Sequence, residues 1–155
     1  MNPYLTASLA VLEELYDGLA DLIAPLGEDC LNWTPTVADT NSIAVLTVHV
    51  AGSVNSWLAR ALAEPFERDR DAEFLVRRNA ADLLALIAHS RALAREQFAR
   101  LDAIDGGIVR EVRRLASGQD AAYSVAWCIE HALIHAGEHW GQMQLNVQLY
   151  ASQGL

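Results

Sequence analysis

The chain has 155 residues, of which 52% are hydrophobic and 20% charged, a size and balance expected of one globular domain with a single core. No stretch approaches the roughly 18 to 20 unbroken apolar residues of a membrane-spanning helix, and the start, Met1-Asn2-Pro3-Tyr4, lacks the basic and apolar regions of a secretory signal. A cytoplasmic location and no membrane partner are expected. With 11 basic and 20 acidic residues the formal net charge is −9, which repels a phosphate backbone, so nucleic acid is not an expected partner.

The first predicted element opens with Asn2 as N-cap and Pro3 at the first helical position, then repeats Leu5, Leu9, Leu12, Tyr16, Leu19 and Ile23 at helical spacing. It should run to about Ala24. Pro25, Gly27 and Pro35 punctuate an irregular stretch through Thr40, with Leu31 and Trp33 expected to pin it to the core. The second helix is predicted from Ser42 to Ala63, with Ile43, Leu46, Val50, Val54, Trp57 and Ala61 on one stripe and apolar or small residues around much of the rest, the pattern of a buried central helix. Glu64 to Asp71 reads as a charged connection. Ala72 to Leu101 then carries Leu83, Leu86, Ile87, Leu93 and Phe98 beside surface Arg and Glu, so this third helix should be the most exposed. Asp105, Gly106 and Gly107 end it, the segment through Gln119 has no clear pattern, and a last helix is predicted from Ala121 to Tyr150. Four long helices with unequal connections make an all-α four-helix bundle.

Charge is distributed unevenly. There is no lysine, and all eleven arginines lie between Arg60 and Arg114. Segments so poor in long charged side chains expose little surface to water, being packed in a core or covered by a second copy, and a homodimer is expected. Cys30 and Cys128 are too few and too far apart for a disulfide framework or a paired-cysteine metal site, and should be reduced and partly buried.

On the last helix, Ser124, Cys128, His131, His135, His139, Gln142 and Asn146 fall within about 40° of one line. A water-facing stripe would recruit Lys, Arg and Glu, whereas these residues coordinate or hydrogen-bond in confined space. Residues four apart are roughly 6 Å apart along the axis, so either His131 with His135 or His135 with His139 can clamp one metal ion, while the roughly 12 Å between His131 and His139 disfavours all three together. A third ligand must come from another helix. His49, with Gly52, Ser53 and Ser56 leaving room on its side, is favoured over His89, which sits between Ala88 and Ser90 in the arginine-rich helix. There is no HExxH motif of a zinc protease.

At Leu31-Asn32-Trp33-Thr34-Pro35, at Asn41-Ser42-Ile43 leading into Leu46-Thr47-Val48-His49-Val50-Ala51-Gly52, and at His135-Ala136-Gly137-Glu138-His139-Trp140-Gly141-Gln142, the sequence resembles the DinB-like superfamily, which includes thiol-dependent transferases and the mycothiol-dependent maleylpyruvate isomerase. The resemblance covers nearly the whole chain and implies one domain over residues 1–155, with an up-down-down-up helix order and frequently a dimer. It carries the metal ligands onto His49, His135 and His139, leaving His131 out of the coordination sphere. Many members have Arg at the place of Trp140, so any role of that arginine is missing here.

The function implied is a divalent-metal-dependent thiol transferase or thiol-dependent isomerase acting on a small molecule. The metal is zinc or nickel and the cosubstrate a low-molecular-weight thiol; three neutral imidazoles leave coordination positions open, as catalytic sites require. His131, Glu138 and Gln142 are the candidate catalytic or substrate-facing groups around it. The alternative is a non-enzymatic metal or small-ligand binding protein associated with stress, built on the same bundle.

Overall fold

The computed structural model describes residues 1–113 and 120–153. Four long helices, α1 (Pro3–Ile23), α3 (Ile43–Ala61), α5 (Ala80–Leu101) and α6 (Val125–Ser152), form the body. Two short helices, α2 (Glu28–Asn32) and α4 (Arg70–Glu73), interrupt the connections, and strands β1 (Val109–Arg113) and β2 (Asp120–Ser124) pair antiparallel ahead of α6. Among the described residues no helix is long and apolar enough to cross a membrane.

Local chemistry sets the helix ends. Asn2 accepts from the Leu5 amide and Pro3 takes the first turn, where a missing N–H costs nothing. Ser42 caps α3 through the Val45 amide, and Asn79 caps α5 through that of Asp82. This last cap explains why the third long helix starts at Ala80 and not at Ala72. Asn32 grips residue 78 on both sides, its amide donating to the Arg78 carbonyl (2.9 Å) and its oxygen accepting from the Arg78 N–H (2.9 Å), so both groups are engaged outside any helix. Trp33 meets Tyr150 edge to face, and Leu31 is fully buried, which fixes the early loop as expected.

The last helix likewise starts later than its alanines imply. Ala121 and Ala122 belong to β2, and Ser124 is the N-cap of α6, accepting from the Trp127 amide at 3.0 Å. The next free amides, of Val125 and Ala126, donate to the carbonyls of Ile108 and Gly106, so the Gly106-Gly107 turn serves as part of the cap. The hairpin occupies much of the segment that shows no pattern in the sequence; residues 114–119 of that segment lie outside the described residues.

Side-chain contacts give the direction of each helix pair. Glu13 meets Arg91 and Arg95, and Arg91 also meets Asp17, so α1 and α5 run antiparallel. Asn55 meets Ser90 and Gln97, and Glu64 meets Arg100, so α3 and α5 run parallel. His49 meets His135, and Trp57 meets Trp127, so α3 and α6 are antiparallel. Tyr4 reaches the Ala126 carbonyl and Gly18 lies under Trp140, so α1 and α6 are parallel. In chain order the long helices therefore run up, down, down, up. The core is built from Leu12, Tyr16, Ile23, Leu58, Phe98 and Ile129, each at most 1% exposed.

The acids of α1 answer one expectation in part. Although residues 1–59 contain no lysine or arginine, Glu13 and Asp17 find their counter-charges on α5 within the same chain. The outer side of α1 is exposed, with Val11 at 46%.

Trp140 turns toward α1. A Cβ on Gly18 would stand 2.5 Å from one indole carbon and 2.9 Å from another, and the indole is too broad to move aside cheaply. Gly18→Ala should lower stability by about 1–3 kcal/mol despite the better helix propensity of alanine. A thermal midpoint equal to or above wild type would contradict this packing.

Candidate metal centre

His49 projects from the buried helix α3, and His135 and His139 lie one turn apart on α6, which crosses it antiparallel. One ring nitrogen from each of the three lies within 4.8 Å of the others. The ring centroids are 5.1 Å apart for His49 and His135, 5.0 Å for His49 and His139, and 4.4 Å for His135 and His139. The Nε2 atoms of His49 and His135 are 3.0 Å apart, close to the roughly 3.3 Å expected of two nitrogens each 2.0–2.1 Å from one tetrahedral ion.

The outward nitrogens determine what the inward ones offer. His49 Nδ1 stands 3.0 Å from a carboxylate oxygen of Glu73, and His139 Nδ1 stands 2.7 Å from the amide oxygen of Gln142. Arg68 Nη2 also lies 3.2 Å from His49 Nδ1, but its two hydrogens are used on the Glu73 carboxylate and the His49 carbonyl, which leaves the carboxylate as the acceptor for Nδ1. Both Nδ1 atoms then carry the hydrogen and both Nε2 atoms present a lone pair to the centre. His139 Nε2 is buried with no hydrogen-bond partner. An orphaned acceptor of this kind costs free energy unless something binds it, and three convergent imidazoles fit a divalent transition ion.

The surroundings of His135 and His139 favour the neutral imidazole. Burial, followed by the neighbouring charges of His139, His49, His131 and Arg68, pushes His135 down to about 3, and burial also lowers His139 against the opposing hydrogen bond to Gln142. Since an unfolded histidine titrates near 6.5, the unfolded chain takes up these protons first as pH falls. The metal-free protein should hold this stabilisation in full above pH 6.5 and lose it progressively toward pH 3. Urea midpoints at pH 7.5 and 5.0 test this, and the drop should be smaller in His135→Gln; equal drops would refute it.

The other sequence candidates separate. His131 stays out of the three-nitrogen cluster but continues from it in a column of rings: His135, His131, Trp127 and Tyr123 stack with successive centroid spacings of 5.8, 4.6 and 3.8 Å. Trp57 from α3 closes the column edge-on, 4.5 Å from His131, with the Arg60 guanidinium 5.0 Å from the centre of its ring. Gln142 touches the cluster directly through His139. Glu138 is exposed and acts on His139 through its charge, which opposes the lowering of that imidazole. His89 is exposed on α5, away from the cluster. Cys30 and Cys128 are both buried.

Three contributors were not foreseen. Arg68, Glu73 and Phe74 all come from the connection between α3 and α5 and all reach His49. The available signal was Gly52, one turn from His49. The space it leaves is taken by the Glu73 and Arg68 side chains.

A cavity of about 300 Å³ opens beside Gln142, between Leu46 of α3, Leu145 and Leu149 of α6, and Val37 of the early loop. Asn146 marks its edge and ties the two elements by donating to the Asn41 carbonyl at 2.8 Å.

No curated protein sequence matches this chain. Among solved structures, it is similar to one described as the conserved protein of locus from Enterococcus faecalis, at a TM-score of 0.76 and 15% identity over 96% of this chain and 97% of that one. That likeness is one of fold. The profile of the DinB superfamily matches residues 11–143, a span that includes all three clustered histidines, and the chain belongs to that superfamily.

Proposed function

We propose that this protein is a divalent-metal-dependent enzyme of the thiol-transferase or thiol-dependent isomerase type, with His49, His135 and His139 as the metal ligands and zinc or nickel as the metal. The observation that carries the reading is the convergence of three imidazole nitrogens, one of them buried with no other partner. A bound ion with open positions lowers the pKa of a thiol and polarises an electrophile.

The chain's own residues shape what can approach. Gln142 keeps the His139 lone pair directed inward and lines the neighbouring cavity, so a molecule held there lies beside a metal ligand. The leucines of that cavity suit an uncharged apolar part of the electrophile. The ring column from His131 to Tyr123 lines that side of the cluster with stacked aromatic faces.

The test pairs metal analysis with turnover. Protein purified without chelators should carry about one zinc or nickel per chain, and should join a low-molecular-weight thiol to a model electrophile at a rate abolished by chelation. Metal retained without thiol-dependent turnover over a broad panel would favour the non-enzymatic binding protein; no metal uptake on reconstitution would remove the enzyme reading.

The protein is further proposed to act in the cytoplasm as a homodimer, joined through the exposed apolar side chains of Tyr4 and Val11 on α1 and Ile134 on α6. Light scattering should give the mass of two chains for wild type and of one for Ile134→Glu. A monomeric wild type at micromolar concentration would refute the dimer.

A further inference from the structure

The connection formed by residues 62–79 returns along α3 and places an ion pair against the outward side of His49. One Glu73 oxygen lies 3.0 Å from His49 Nδ1. Arg68 Nη2 donates to that same oxygen at 2.7 Å and to the His49 carbonyl at 3.2 Å, passing 3.2 Å from His49 Nδ1, while Arg68 Nε reaches the other Glu73 oxygen. Phe74 covers the group, its ring centroid 5.4 Å from that of His49.

The pair is buried, with Glu73 only 8% and Arg68 only 10% exposed at the side chain. A buried carboxylate is costly unless it is neutralised and hydrogen-bonded, and here every donor it meets comes from Arg68 or His49 among the described partners. Room for the pair depends on Gly52: a Cβ there would stand 2.6 Å from Glu73 Oε1 and 2.9 Å from Arg68 Nε.

We infer that Glu73 is the positioning residue of the metal ligand His49, and that Arg68, seated against Gly52, is what keeps Glu73 in place. The inference rests on the metal reading above. A carboxylate accepting from Nδ1–H selects the tautomer whose Nε2 lone pair faces the metal, fixes the ring's rotation and makes Nε2 more basic. The charged connection therefore forms part of the metal centre without supplying a ligand.

Two readouts test it. In metal-free protein labelled with nitrogen-15 histidine, His49 should be found as the Nδ1–H tautomer, and in Glu73→Ala as a mixture. Zinc affinity, measured by chelator competition, should fall about 10–100-fold in Glu73→Ala. It should fall less in Glu73→Gln, which keeps an acceptor of the same shape and guards against simple misfolding, and should not change in His89→Ala. An Nε2–H tautomer in wild type, or zinc binding by Glu73→Ala within twofold of wild type, would overturn the inference while leaving the metal reading intact. Failure of wild type itself to bind zinc would overturn both.

Discussion

Zinc at a hundredfold excess over its Kd should raise the thermal midpoint of the wild-type protein by roughly 5–10 °C. Binding to the folded state alone stabilises by about 2.7 kcal/mol at that excess, and a domain of this length shifts by about 2–4 °C per kcal/mol. His135→Ala should show no shift at the same zinc concentration, because His135 shares its Nε2 contact with His49 and its turn with His139, so its loss leaves two ligands from different helices. His131→Ala should keep the shift. Differential scanning fluorimetry with and without chelator reads all three. A shift lost in His131→Ala and kept in His139→Ala would move the site one turn down α6, to the other histidine pair that the spacing permits.

Asn55→Ala should cost about 3 kcal/mol. Tyr16 donates to Ser90 Oγ (2.7 Å), Ser90 donates to the Asn55 side-chain oxygen (2.6 Å), and the Asn55 amide donates to the Ser90 carbonyl (3.1 Å) and the Gln97 side chain (3.3 Å). Gln97 closes the loop on the Asn55 carbonyl at 3.0 Å. All of these residues are buried, and burial pushes the Tyr16 hydroxyl up to about 12. Removing the central amide strands the Ser90 hydroxyl and the Gln97 side-chain oxygen on α5, each at about 1–3 kcal/mol. Urea denaturation measures the loss; a change below 1 kcal/mol would show that water replaces the asparagine. The network also bears on specificity, since it ties the parallel pair α3 and α5 at one register where apolar side chains alone would permit sliding.

The four long helices were legible because each buries a face whose apolar spacing survives in the sequence. Ile43, Leu46, Val50 and Val54 on α3 and Leu5, Leu12, Tyr16 and Leu19 on α1 are all buried as their periodicity requires. His135 and His139 were legible as a pair for the same reason, one turn separating them. The choice between that pair and His131 with His135 was not, because both have the same spacing; it took the family resemblance to favour one and the structure to bring His139 to His49. The hairpin before α6 was hidden by Ala121 and Ala122, which suit a helix, while the cap that decides the boundary is the single side chain of Ser124. Glu73 was hidden for a different reason. It lies 24 residues from His49 in a segment whose charges look like those of any solvated loop, and only the fold turns it inward.

Parallel neighbours impose a requirement on the chain that antiparallel ones do not. Having reached the end of α3, the backbone must travel back the whole length of that helix, about 28 Å, before α5 can begin. Some nine extended residues suffice for that distance, and the return from 62 to 79 has about twice as many. The surplus lets the chain pause in α4 and lay Arg68, Glu73 and Phe74 across the midpoint of its neighbour. Shortening this return to the geometric minimum would leave the helices free to pack as they do while removing the inward excursion, so the length of a loop, together with the space left at Gly52, sets how completely this bundle encloses its histidines.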